Sequence, residues 1–156
     1  MKKLLLTVSL FFILNSTVLA GVSEEDNCKD AVNFRTVDIS VDSKTNSLAA
    51  YQIDIRYDKE DVKVVGLEGG SDGFNNPPYY DRAGLEGGRI IIAAFVDDDT
   101  HAKNGKTRVA RLHLQTNGCK PYEFKTKPMV AAKPGGKEIP VDVEVSFIDS
   151  HSMNNR

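Results

Sequence analysis

Apolar and polar residues alternate along several short stretches of the chain. The clearest examples are residues 37–41, 51–57, 110–114 and 141–147. Successive side chains of a β-strand point to opposite faces, so a period of two predicts a strand with one buried and one solvated face. In the second stretch the apolar positions are Tyr51, Ile53, Ile55 and Tyr57, and the polar positions between them are Gln52, Asp54 and Arg56.

Other segments predict strands by different signals. Residues 62–67 are rich in Val and Leu, and shorter candidates lie at 122–126 and 129–132. Residues 89–96 are apolar without alternation, which predicts a strand covered on both faces. Beyond the first 20 residues, no window of about 11 residues or more has a helical stripe. The chain is therefore predicted to be all-β, a single β-sandwich of about seven to nine strands.

The N-terminus has the layout of a secretory leader. Lys2 and Lys3 precede an apolar run over residues 4–14, and small residues surround a predicted cleavage point after Ala20. The run is too short to span a membrane, so no membrane insertion is expected after cleavage. The predicted organisation is a signal peptide at 1–20, a polar segment at 21–33, the sandwich at 34–148 and a polar tail at 149–156. The protein is expected to be secreted or periplasmic.

Composition narrows the function classes. Removing the leader from 156 residues leaves 136, the size of one domain. Loss of Lys2 and Lys3 reduces the 20 basic residues to 18, against 22 acidic residues, so the net charge becomes −4. Nucleic-acid binding is not expected at that charge. In an exported chain, Cys28 and Cys119 predict a structural disulfide.

Residues 48–116 resemble the cohesin domain family. A strand ending in Tyr57-Asp58 is followed by a short turn, a Val/Leu-rich strand and Gly69. Residues 88–95 are similar to the family's glycine-led buried strand, and residues 105–114 to its later strand, entered from a glycine-containing loop. The resemblance implies a jelly-roll β-sandwich, a fold that carbohydrate-binding modules share. It also implies a non-catalytic module that binds a calcium-loaded dockerin partner and assembles extracellular enzyme complexes for polysaccharide breakdown.

If the chain is cohesin-like, one face of the sandwich is expected to carry the interface. Two sets of outward-facing strand residues are candidates: Gln52, Asp54 and Arg56, or Arg111, His113 and Gln115. For any single one of these residues, an ordinary solvated strand face is the favoured interpretation.

The acidic loop is a candidate calcium site. Asp97, Asp98 and Asp99 could supply several of the oxygen ligands that calcium takes. The spacing of an EF-hand is missing, however, and a solvated loop tip is the favoured interpretation.

Aromatic residues around the Pro77-Pro78 pair are candidates for stacking on a sugar. These are Phe74, Tyr79 and Tyr80. The chain has no Trp, and adjacent residues of a strand point to opposite faces, so packing within the loop is favoured over sugar binding.

Catalysis is not predicted. No nucleophile elbow is present, and the spacing of His101, His113 and His151 does not suggest a zinc site. Three hypotheses follow, of which the first is favoured: a protein-binding module with a dockerin-type partner, a polysaccharide-binding module on the same fold, or a small exported structural or adhesive protein.

Overall fold

The computed structural model describes residues 31–118 and 121–148, and these form an all-β fold. Its strands are β1 (Val32–Asp42), β2 (Ala50–Arg56), β3 (Val62–Gly69), β4 (Tyr79–Tyr80), β5 (Arg89–Phe95), β6 (Lys106–Asn117), β7 (Lys125–Ala132) and β8 (Asp142–Ile148). Two short 3₁₀ helices, Arg82–Gly87 and Asp99–His101, flank β5. The predicted fold class is confirmed.

The strands form two antiparallel sheets packed into a sandwich. The first sheet has the order β3-β6-β1-β8 and the second has the order β4-β5-β2-β7. Strands that are neighbours in a sheet are mostly distant in sequence, as in β1 with β6 and β2 with β7. Each sheet therefore has an inner face towards the other sheet and an outer face towards solvent.

The alternating stretches supply the core between the sheets. Val37, Ile39 and Val41 of β1 are fully buried, as are Ile53 and Ile55 of β2. Burial of such a side chain stabilises the fold by roughly 1.5–3 kcal/mol. The period of two thus identified the inner faces of β1 and β2 correctly, whereas Val143 and Val145 of β8 are half-buried and Phe147 is 40% exposed.

Strand β5 differs from its prediction. Ile90 and Ile92 are fully buried, but Ile91 and Ala93 are only half-buried and Phe95 is exposed. The prediction that both faces are covered is therefore wrong. The run lacks alternation because its outer face is also apolar, and no described element covers that face.

The two short strands predicted at 122–126 and 129–132 are one strand, β7. Tyr122 lies before it, and its hydroxyl donates to the carbonyls of Asn117 (2.9 Å) and Gly118 (2.7 Å). Pro128, which cannot donate to a ladder, lies between the two predicted segments. It is tolerated because β7 is an edge strand with a β-bulge beside this residue.

The backbone conformation at Gly88, which precedes β5, explains why a glycine occupies this position. Its φ is +71°, and a Cβ there would stand 2.7 Å from the carbonyl oxygen of Tyr57. The N–H of Tyr57 donates to the carbonyl of Gly88 at 2.9 Å, which ties the end of β2 to the start of β5. A side chain at this position would disturb that contact.

Several predictions concern residues outside the described ranges. The leader, the tail from 149, Cys28 and Cys119 all lie there. The flanking described residues do meet, because the Gly118 N–H donates to the carbonyl of Ala31 at 2.9 Å. In the described part of the chain, no helix has the length and apolar character needed to cross a membrane.

Candidate functional site

The outer side of the second sheet carries a cluster of exposed apolar side chains, which we call the apolar face. Tyr79 is 73% exposed, Phe95 is 63% exposed, and Met129 and Val130 are each 44% exposed. These side chains come from three strands, β4, β5 and β7. Single exposed apolar residues are ordinary, whereas a contiguous group of them marks an interaction surface.

The register of the strands brings these residues together. Gln52 of β2 lies opposite Ala93 on one side and Val130 on the other, and Tyr79 lies opposite Ala93. Ala50 lies opposite Phe95. Because the two alanines are small, they leave a shallow depression of about 230 Å³ between the larger side chains.

A β-bulge adds a side chain to the apolar face. The register of β7 against β2 shifts between Gln52 and Ile53, so Met129 is an extra residue in the edge strand. The Gln52 amide donates to the Met129 sulfur at 3.8 Å, which places Met129 on the outer side. Both Met129 and Val130 are therefore exposed, although consecutive residues of a regular strand would face opposite ways.

Two aromatic rings form one border of the apolar face. The rings of Tyr79 and Phe95 lie 11° from parallel, with their centroids 6.4 Å apart. The pair is held by the short β4–β5 pairing, and neither ring is covered by another described element. This border of the apolar face therefore consists of two exposed rings, and its polar group is the hydroxyl of Tyr79.

Asp54 lies on the same outer side but is almost completely buried beneath arginine side chains. Its carboxylate accepts hydrogen bonds from Arg89 Nε (3.1 Å) and Nη2 (3.0 Å), and from Arg56 Nη2 (3.2 Å). The side chain of Asp54 is 6% exposed, whereas those of Arg56 and Arg89 are 62% and 48% exposed. The hydrogen bonds from Arg89, with a smaller effect of Arg56, hold the pKa of Asp54 below its usual value against the opposing effect of burial.

The other predicted interface set lies on the opposite side of the molecule. Arg111 on β6 makes a two-pronged ion pair with Asp38 of β1 at 2.7 and 3.0 Å. His113 lies 2.8 Å from the Glu68 carboxylate of β3. Gln52, Asp54 and Arg56 are on β2, so the structure does not bring the two predicted sets together.

Of the three candidate sugar-stacking residues, Phe74 is buried, Tyr80 is half-buried and Tyr79 is exposed. Phe74 is 2% exposed and packs edge-on against Tyr51, with ring centroids 5.2 Å apart. Tyr80 faces the core from β4, whereas Tyr79 faces outwards. The candidate site is therefore corrected to Tyr79 alone, joined by Phe95, because alternation in β4 separates the two tyrosines.

The side chains of Asp97 and Asp98 interact within the acidic loop. Asp98 caps the 3₁₀ helix Asp99–His101 by accepting from the Thr100 N–H at 2.9 Å, a bond that holds the pKa of Asp98 below its usual value. Asp97 lies 3.9 Å from the His101 ring. In residues 31–118 and 121–148, no three His, Cys, Asp or Glu side chains are grouped so that they could hold a metal ion. The calcium site at Asp97, Asp98 and Asp99 stays a hypothesis, and the solvated loop tip remains the favoured interpretation.

Sequence reasoning missed Phe95, Met129 and Val130. Alternation along β5 could have predicted that Phe95 faces outwards, because it lies an odd number of residues from the inward-facing Ile90 and Ile92. Nothing in the local sequence indicates the bulge that turns Met129 outwards. The apolar face could not be assembled without knowing that β5, β2 and β7 are neighbours.

Comparison with known proteins identifies the fold. No family model matches the sequence, and no curated protein matches it significantly. Solved structures do match. One is in a type I cohesin–dockerin complex from Clostridium thermocellum: 15% identity, 69% of this chain and 82% of that chain covered, TM-score 0.57. Another is a non-cellulosomal cohesin from the hyperthermophilic archaeon Archaeoglobus fulgidus: 13% identity, 81% and 91% covered, TM-score 0.57.

A third match is a ScaB type I cohesin from Pseudobacteroides cellulosolvens, at 10% identity, with 69% of this chain and 74% of that chain covered and a TM-score of 0.52. At these identities the likeness concerns the fold. The chain has a cohesin-like jelly-roll β-sandwich, as the sequence resemblance predicted.

Proposed function

We propose that this chain is an exported, non-catalytic module that binds another protein through the apolar face. The observation that carries the proposal is the group of four exposed apolar side chains, drawn from three strands of one sheet. Aromatic residues and Met are enriched at protein interfaces, and a flat sheet face presents them without any rearrangement of the backbone. The cohesin-like fold supports the same function, since one matched structure is a cohesin–dockerin complex. A dockerin-type partner is therefore the first to test.

Export and the disulfide are part of this proposal. The leader layout of residues 1–20 supports export. The hydrogen bond between Gly118 and Ala31 supports a Cys28–Cys119 disulfide, because it joins the segments that lead to the two cysteines. Mass spectrometry of the exported protein, with and without reduction, is expected to show loss of residues 1–20 and a gain of two hydrogens on reduction.

The binding test compares matched aromatic substitutions on the two outer faces. The chain from Gly21 to Arg156 is immobilised and exposed to exported proteins of the same organism, in calcium or in chelator. The Tyr79→Ser/Phe95→Ser variant is expected to lose a retained protein completely, because interface aromatic residues often contribute about 2 kcal/mol or more each. Phe34→Ser removes a ring that is 76% exposed on β1 of the first sheet, and it is expected to retain the partner.

Three other results would contradict parts of the proposal. Equal retention by all variants would place the binding surface elsewhere. Retention without calcium would exclude a calcium-loaded partner, and retention of nothing would count against protein binding and favour a structural or adhesive role.

A polysaccharide is the second candidate ligand, favoured by the near-parallel rings of Tyr79 and Phe95. Sugar rings stack on exposed aromatic faces, and the Gln52 amide lies beside the depression as a hydrogen-bonding group. Native electrophoresis in gels containing soluble polysaccharides tests this. Retardation of the wild type that is lost in Tyr79→Ser/Phe95→Ser would favour the sugar, and unchanged mobility in every gel would count against it.

A further inference from the structure

One end of the apolar face carries four cationic side chains. Lys125 of β7, Arg56 of β2 and Arg89 of β5 are directly opposite one another across three neighbouring strands. Lys127 lies in the next outward-facing row, opposite Asp54. All four side chains are exposed, and all belong to the outer side of the second sheet. We call these four residues the basic row.

Few carboxylates of residues 31–118 and 121–148 neutralise the basic row. Like charges directly opposite on neighbouring strands destabilise a sheet. Among the described residues, Asp54 is the only carboxylate within 4 Å of any of these cations, and both of its arginine partners share it. Lys125 and Lys127 have no ion pair there. Three carboxylates, those of Asp58, Asp61 and Glu123, line a groove beside Arg56 and Lys125.

We infer that the protein partner of the apolar face places carboxylates over the basic row. This inference rests on the proposed function and adds the charge of the partner and its orientation. A partner surface with an apolar stripe that ends in Asp or Glu would cover the aromatic border, the depression and the cations together. From Ala50 to Arg56 the face extends about 20 Å at 3.3 Å per residue, which matches about 13 residues of a partner helix.

The apolar centre favours a protein over an anionic polysaccharide. Tyr79, Phe95, Met129 and Val130 lie on the same side as the basic row, and a polyanion would leave Met129 and Val130 without a counterpart. Carboxylates at the border of an apolar contact accelerate association and fix its direction. Salt is therefore expected to weaken binding.

A displayed library tests the inference and does not require the natural partner. The probes are yeast-displayed helical hairpins with one randomised helix face, selected on the wild-type chain. Clones that also bind Tyr79→Ser/Phe95→Ser are removed, so the remaining clones depend on the apolar face. Each clone is then titrated against Lys125→Glu/Lys127→Glu and against Lys63→Glu. Lys63 is an exposed lysine on β3 of the first sheet and serves as the matched control.

The expected clones are enriched in Asp and Glu at one end of the randomised helix. Their affinity is expected to fall by about tenfold or more with Lys125→Glu/Lys127→Glu, to change little with Lys63→Glu, and to fall as salt rises. Urea unfolding of each variant confirms that the substitutions leave the fold intact.

Two results would overturn the inference while leaving the proposed function in place. The first is a set of clones that depends on the apolar face but has no acidic bias and is insensitive to Lys125→Glu/Lys127→Glu. The second is retention of polygalacturonate by the wild type that the lysine variant abolishes and Tyr79→Ser/Phe95→Ser does not. An absence of any clone that depends on the apolar face would instead count against the proposed function itself.

Discussion

The outer faces of the two sheets are built in opposite ways. On the first sheet, charged side chains of neighbouring strands satisfy one another, as Arg111 does with Asp38 and His113 with Glu68. On the second sheet, the one comparable carboxylate, Asp54, is buried under two arginines at the end of the face, and the centre is apolar. These charges of the first sheet are paired internally, although Val32 and Phe34 of β1 are exposed there. The apolar face leaves apolar area and lysine charge uncovered, which is the physical basis for assigning binding to it.

The largest effect on stability is expected from a substitution on the inner side of β5, compared with one on its outer side. Ile92→Ala is expected to lower the free energy of unfolding by about 2–5 kcal/mol, because the side chain is fully buried and the cavity would remain. Ile91→Ala, one residue earlier on the half-buried outer side, is expected to lower the free energy of unfolding by clearly less. Urea unfolding of both variants measures the difference. Equal costs would mean that the outer side of β5 is covered after all.

An intermediate effect on stability is expected when Asp54 is replaced by Asn. Asp54→Asn is expected to lower the free energy of unfolding at pH 7 by about 1–3 kcal/mol, since hydrogen bonds from two charged groups are weakened. The pKa of Asp54 is lowered in the folded state, so its contribution is fully present above the unfolded-state pKa of about 3.9. It is lost as the pH falls through the folded-state value.

The measurement is therefore the difference in unfolding free energy between wild type and Asp54→Asn, as a function of pH. It is expected to be constant from about pH 5 to 7 and to narrow below about pH 4. A difference that stays constant down to about pH 2 would show that the carboxylate charge contributes nothing. Asp38→Asn is the matched variant on the first sheet, where Arg111 is the main partner.

The smallest expected effect is on the stability of the aromatic variants. Phe95→Ser and Phe34→Ser are each expected to change the free energy of unfolding by no more than about 0.5 kcal/mol, because both rings are mostly exposed. Their effects on partner binding are expected to differ, since only Phe95 belongs to the apolar face. If Phe95→Ser instead cost several times as much as Phe34→Ser in urea unfolding, the ring would have to be assigned a structural role in supporting β4.

The sequence by itself determined the inner faces and the class of fold. Alternation in residues 37–41 and 51–57 is a local property, since the pleat of a strand sends every second side chain to the same side. It therefore identified Val37 and Ile53 as core residues from their own segments alone. The same rule separated Tyr79 from Tyr80. It failed for β5, because alternation carries no signal when both faces of a strand are apolar.

Only the tertiary structure decided which residues share each outer face. Asp54 meets Arg89 across 35 residues of sequence, and Gln52 meets Met129 across 77. The bulge in β7 turns Met129 outwards, and the order β4-β5-β2-β7 places Tyr79, Phe95 and Val130 on one surface. Strand pairing over such separations depends on the packing of the whole sandwich rather than on local preference. For that reason the sequence predicted a binding module, and the structure was needed to identify the surface proposed for binding.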